Sequence, residues 1–184
     1  IQRDIDLLIP LAKLNLVHVS LSITSFDNKL RSLLEPRTAS VQKKLETLEL
    51  LSANNIPVNV MVAPIIPGLN SHEIPNIVKK VAASGALSVG YTTVRLNGEI
   101  AEIFEDWLRK TYPERADKVL NQIKEINNGS LESKGKNRLK LHGETAVMIK
   151  SMFDVARKKY LKDKVWPAYD LTAFCHPTSQ LSLF

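Results

Sequence analysis

Two runs of sequence decide the fold: Val17-His-Val-Ser-Leu-Ser-Ile-Thr24 and Val58-Asn-Val-Met-Val-Ala-Pro64. Both are rich in β-branched residues, and the second continues into Ile65-Ile-Pro-Gly-Leu-Asn70. A stretch with helical spacing separates them. Strands joined by a long helical crossover lie parallel, and in such folds chemistry collects at the strands' carboxyl ends. Ser22, Thr24 and Ser25 follow the first strand, and Pro64 to Asn70 follow the second. The location of a site is therefore legible before its chemistry. The strands are apolar at nearly every position, which predicts strands covered on both faces.

Working outward, Ile5, Leu8, Ile9, Ala12 and Leu16 repeat at the spacing of one helix face and predict a helix over 4–16, closed by Asn15. A short helix is expected over 27–34, stopping before Pro36. Ser40 reads as the cap of a helix through Ala53, with Leu45, Leu48 and either Leu50 or Leu51 facing inward. Ser71 reads as the cap of a further helix over 72–84, and Ser88 to Arg95 as a third apolar strand. Strand, helix, strand, helix, strand at this pitch is a run of βαβ units. Downstream, 100–112 and 113–126 read as two helices split at Tyr112-Pro113, and 143–161 as one long helix. The expected organisation is a βα unit over 1–98, a helical extension over 99–162 and an irregular tail over 163–184.

The composition is that of a soluble globular protein, with 44% hydrophobic and 24% charged residues. No apolar run approaches a membrane span. The single cysteine, Cys175, excludes an internal disulfide and fits a reducing, cytoplasmic compartment. It also excludes a cysteine-ligated metal cluster built from this chain alone. The four histidines lack metal-ligand spacing. Between 134 and 164 the chain carries ten basic residues against three acidic ones, a footprint compatible with nucleic acid and equally with a solvated helix face.

Three strands do not close a barrel, and a helix at the first residue has no strand before it. The expectation is therefore a piece of a longer protein. The stretches Val19-Ser-Leu-Ser-Ile-Thr-Ser-Phe-Asp27, Leu34-Glu-Pro-Arg-Thr38, Gln42-Lys-Lys-Leu-Glu-Thr47 and Pro57 to Asn70 resemble the radical S-adenosylmethionine proteins. Among these they are most similar to the subgroup related to spore photoproduct lyase, often labelled DNA repair photolyases. Arg95-Leu-Asn-Gly-Glu-Ile100 and Phe104-Glu-Asp-Trp-Leu108 extend the resemblance over most of the chain. It implies an α/β fold: the carboxyl-terminal half of a partial TIM-like (β/α)6 barrel with three parallel strands, followed by a helical extension. It implies a [4Fe–4S] cluster held by a Cys-x3-Cys-x2-Cys motif that this sequence lacks. That motif is expected about a hundred residues before Ile1, as barrel size requires.

The resemblance also implies that these strands hold S-adenosylmethionine. Ser20 matches the serine of the family's Val-Ser-Leu strand, and Ser22 points to the same side. Their hydroxyls would bond the cofactor's ribose or amino-acid group, or else satisfy local backbone groups. Arg37 suits the cofactor carboxylate, with an ion pair to Glu35 or Glu46 as the alternative. Ala63 and Pro64 suit close approach of an adenine ring, or plain packing before a turn. Arg95 puts a charge at the end of the third strand, where an apolar residue is expected.

The last five residues, Gln180-Leu-Ser-Leu-Phe184, match the bacterial sliding-clamp-binding pentapeptide. Leu183 and Phe184 would enter an apolar pocket, with Gln180 making the polar contact and Leu181 completing the motif. A tail packed back on its own domain is the alternative.

The resulting reading is the cofactor-holding half of a radical enzyme that uses a 5′-deoxyadenosyl radical for DNA repair, a half inactive without its cluster. A different α/β barrel lyase would want a catalytic Lys or acid at a strand end, or a Gly-rich phosphate loop, and neither is evident. A non-enzymatic DNA-associated adaptor would rely on the basic region and the clamp-like tail alone.

Overall fold

A computed structural model describes residues 1–133 and 140–173. Three strands form one parallel sheet in the order β1 (Val19–Ser22), β2 (Val58–Ile65), β3 (Ser88–Thr93). Val19 pairs with Val58 and Ser22 with Met61. Asn59 pairs with Ser88 and Met61 with Gly90, and the register shifts between Val62 and Ile65. The helices are α1 (Ile5–Lys13), α2 (Asn28–Leu34), α3 (Val41–Ala53), α4 (Ile74–Ala83), α5 (Glu99–Thr111), α6 (Pro113–Ile126) and α7 (Gly143–Tyr160).

The expected α/β order is observed, a three-stranded parallel sheet with helices consistent with a partial radical S-adenosylmethionine (β/α) fold. Local chemistry explains the helix boundaries. The Asp27 carboxylate accepts from the amides of Lys29 and Leu30 and caps α2, and the Ser40 hydroxyl accepts from the Lys43 amide and caps α3 as the sequence predicts. Leu51, not Leu50, is the inward residue of α3, beside Leu45 and Leu48. Ser71 is not a cap. It opens a short 3₁₀ turn over Ser71–Glu73, its hydroxyl accepts from the Gly68 amide, and α4 begins only at Ile74.

The prediction of strands covered on both faces is overturned. Burial alternates along β2: Val58, Val60 and Val62 are fully buried, whereas Asn59, Met61 and Ala63 between them are half-exposed. In β1, Val19 is buried while Ser20 and Ser22 are exposed. The physical reason is parity. Successive side chains of a strand point to opposite faces, and the polar residues of β1 all fall on even positions. Helices α1, α3, α4 and α7 cover the face that carries Val19, Val58, Val60 and Val62, where Leu48, Ile77, Val78 and Phe153 join the valines in one core. At 20–33 cal/mol per Å² of apolar surface, this one-sided core is the main stabilising term. A second core, around Ile66, Leu69, Leu96, Leu108 and Ile123, places α5 and α6 by the strands' carboxyl ends.

Candidate functional site

Two groups of polar residues meet the carboxyl half of the sheet. The first is a closed network. Asn70 is 2% exposed and uses its whole amide: Nδ2 donates to the carbonyls of Thr24 (2.8 Å) and Pro64 (3.0 Å), and Oδ1 accepts from the Ile66 amide (2.7 Å). The buried Thr24 hydroxyl lies 2.6 Å from Glu35 Oε1 and 2.9 Å from the Ala63 carbonyl, and donates to one of them. Ser25, wholly buried, donates to Glu73 Oε1 at 2.6 Å, and Glu73 Oε2 accepts from the Phe26 amide at 2.6 Å. These bonds fasten the ends of β1 and β2 to each other and to the turn before α4. Buried polar groups of this kind are held because an unpaired one is costly.

Glu35 is the charged member of that network. Burial pushes its carboxyl up, but the Thr24 hydroxyl bond and then the Lys44 ammonium outweigh this, and its pKa lies below the ordinary value. Lys44 Nζ approaches Glu35 Oε2 at 3.4 Å, with both side chains largely shielded. No distinctive sequence signal marks Glu35, Asn70 and Glu73 as a linked set, since their partners Thr24, Ser25 and Phe26 belong to a distant segment.

The second group lies on the open face of the sheet. Ser20 Oγ accepts from Asn59 Nδ2 across the strand pair at 3.0 Å. Ser22, one step nearer the carboxyl end, is exposed, and its hydroxyl has no hydrogen-bond partner among the described residues. Its neighbours across the sheet are Met61 and Gly90. A Cβ on Gly90 would stand 2.6 Å from Met61 Sδ, so the missing side chain is what lets Met61 lie over β3. Ala63 and Pro64, joined by a cis peptide bond, are half-exposed at the end of β2.

Of the sequence-predicted site residues, Ser20, Ser22 and Ala63 thus share one face, with Pro64 next to Ala63. Arg37 and Arg95 stand apart on exposed loops, and neither forms an ion pair among the described residues. The expected alternative for Arg37 is not made: Glu35 is engaged by Thr24 and Lys44, and Glu46 by Gln42 and Lys43. Arg95 does not close β3, which ends at Thr93; it lies between the buried Val94 and Leu96 of the following loop. Gln180, Leu181, Leu183 and Phe184 lie outside the described residues, as does Cys175. Within the basic region, Arg157 is turned inward, donating through Nε (2.7 Å) and a terminal nitrogen to the Val89 carbonyl, while Lys158, Lys159, Lys162 and Lys164 are exposed.

The residues present do not fit an iron–sulfur cluster. The chain has one cysteine, and no group of His, Cys, Asp or Glu among the described residues could hold a metal ion. The face around Ser22 combines a free hydroxyl, small side chains at Ala63 and Gly90, and the polarizable Met61 thioether, which suits contact with a flat aromatic ring.

The family profile described as the Radical SAM superfamily matches residues 2–81, from the turn before α1 through most of α4. The match therefore takes in β1, β2 and both groups of polar residues around them. The chain is also 28% identical over 120 residues to a protein of Methanocaldococcus jannaschii that is itself described as uncharacterized. That alignment covers 65% of this chain and 43% of the relative, so the chain spans less than half the length of the protein it matches. No solved structure matches. No helix among the described residues is long and apolar enough to cross a membrane.

Proposed function

We propose that this chain is part of a radical S-adenosylmethionine enzyme and forms the portion that holds the cofactor's nucleoside. One observation carries the reading. The family match covers β1 and β2, whose open face combines the exposed Ser22 hydroxyl, unbonded among the described residues, with the small Ala63. Ser22 and Ser20 would meet the ribose hydroxyls, Ala63 and Pro64 the adenine edge, and Met61 its face. Arg37 and Arg95, exposed and without ion pairs among the described residues, are available to a carboxylate. When bound, S-adenosylmethionine with a reduced cluster supplies one-electron chemistry, ending in hydrogen-atom abstraction from a substrate. The work of this chain is to bind, orient and exclude water, as proteins do around a cofactor that carries the difficult step.

The substrate in this proposal is a DNA lesion, by similarity of the stretches around Val19 to Asn70 and Arg95 to Leu108 to the spore photoproduct lyase subgroup. The excess of basic residues between 134 and 164 supports a polyanionic partner. The terminal Gln180-Leu-Ser-Leu-Phe184 supports docking to a sliding clamp, and changing Leu183 and Phe184 to Ala should abolish clamp binding.

The decisive experiment uses the full-length protein purified without oxygen. The expected outcome is iron–sulfur absorbance and reductive cleavage of S-adenosylmethionine. A protein with neither overturns the enzyme reading.

A further inference from the structure

Helix α7 has two faces of different character. Ile149, Phe153 and Ala156 are buried against the sheet and α4, and the Phe153 ring stacks on Tyr91 at 4.2 Å. The outward face carries Glu144, Val147, Met148, Ser151, Val155 and Lys158. Val147 is 69% and Val155 64% exposed, which is unusual for two β-branched residues on one helix stripe. At 3.6 residues per turn, Glu144, Val147, Ser151, Val155 and Lys158 fall within about 80° of one another around the axis. A groove of about 410 Å³ runs beside this stripe, with Pro75 of α4 on its wall together with Met148, Ser151 and Val155.

The stripe is symmetric about Ser151. Val147 and Val155 stand four residues to either side of it, and Glu144 and Lys158 stand seven to either side. Neither Glu144 nor Lys158 forms an ion pair among the described residues, whereas Lys150, off the stripe, is paired with Asp154 at 3.1 Å. An antiparallel copy of the same helix would complement every one of these positions. A polyanion would not, because the stripe is apolar at its centre and acidic at one end.

We propose that α7 is the interface of a two-fold symmetric dimer of this chain. Ser151 lies at the axis, where its small side chain allows the helices to approach to about 8–10 Å. Val147 packs on the partner's Val155, and Glu144 meets the partner's Lys158, each contact occurring twice as an isologous interface requires. The paired stretch is about 21 Å long, from Glu144 to Lys158. Met148, flexible and half-exposed, seats in the groove. The proposal is independent of the cofactor reading.

Sedimentation of the purified full-length protein from about 1 to 100 μM should show the mass rising from that of one copy toward twice that value. E144K and K158E should each weaken association by about tenfold or more, because each places like charges opposite one another. The double variant E144K/K158E swaps both charges and should recover the original association, with circular dichroism confirming that all three variants are folded. In a C175S background, S151C should form a disulfide dimer on oxidation far faster than the off-stripe K150C. A protein monomeric at every concentration, a double variant no better than the single ones, or equal crosslinking of the two cysteines overturns the proposal, whatever else covers the helix.

Discussion

The two sides of this half-sheet's polar chemistry differ in how their hydrogen bonds are spent. At the strand ends, Asn70, Thr24, Ser25, Glu35 and Glu73 bond to one another and to backbone groups, with Thr24, Ser25 and Asn70 buried and the two glutamates partly so. On the open face, Ser20 makes one cross-strand contact and Ser22 makes none. Both sets are short polar side chains at the carboxyl ends of parallel strands, the position where sequence reasoning places chemistry. The difference teaches that position alone does not mark a binding group: the closed set holds the strand ends in place, and the open set is what a ligand can reach.

The sharpest break in that comparison comes from Asn70. Asn70→Ala removes three hydrogen bonds at once and leaves the buried Ile66 amide without its acceptor. With about 1–3 kcal/mol for an unsatisfied buried group, the expected loss is about 3 kcal/mol, read as a lower denaturant midpoint at unchanged slope. A loss below about 1 kcal/mol would mean that the strand ends are held by apolar packing and not by this network.

A smaller effect, with a pH signature, is expected at Glu35. Its pKa lies below the ordinary carboxyl value, so the folded state favours the ionised form. The stabilisation it gives is complete above the unfolded-state pKa and disappears as pH falls through the folded-state value. Glu35→Gln should therefore be less stable than the natural protein by about 1 kcal/mol at neutral pH. The difference should close as pH falls below the ordinary carboxyl range and through the folded-state value. A deficit that stays constant down to acid pH would assign the effect to lost shape and not to the carboxylate. The same sign applies to Glu125, whose carboxylate accepts from the Thr145 hydroxyl (2.6 Å) and amide (3.0 Å) at the start of α7 and whose pKa is lowered chiefly by the hydroxyl bond.

What the sequence revealed, and what it withheld, follows from the range of the interactions involved. The three strands, their order and most helix ends were legible because periodicity, Asp27 and Ser40 act within a few residues. The one-sided burial of the sheet was present in the alternation of Ser20, Ser22, Asn59 and Met61, but counting apolar residues obscured it where parity would have shown it. The contacts of Asn70 with Thr24 and of Glu73 with Ser25 and Phe26 were not legible, because they join residues 46 to 48 positions apart and depend on the register between β1 and β2. The false cap at Ser71 has the same origin, since the chain there turns to deliver Asn70 before the helix begins. The open-face candidates Ser20, Ser22, Ala63 and Pro64 came from a family resemblance; parity groups Ser20 with Ser22, and it takes the register between β1 and β2 to bring Ala63 to the same face.

The smallest stability effect belongs to the residue with the largest role in the proposed site. Ser22 is exposed and its hydroxyl bonds to nothing among the described residues, so Ser22→Ala should alter stability by less than about 0.5 kcal/mol. If the open face receives the nucleoside, the same change removes a hydrogen bond to the ligand and should weaken S-adenosylmethionine binding by about five- to tenfold in calorimetry, equivalent to about 1 kcal/mol. Ser20→Ala is the internal comparison, because Ser20 already accepts from Asn59 and has less to offer a ligand. The expected order is a clear loss for Ser22, a lesser one for Ser20, and unchanged folding for both. If Asn70→Ala abolishes binding while Ser22→Ala leaves affinity unchanged, the open face is not the site. The strand ends would then have to carry both duties, and the distinction between a closed scaffold and an open binding face would fail.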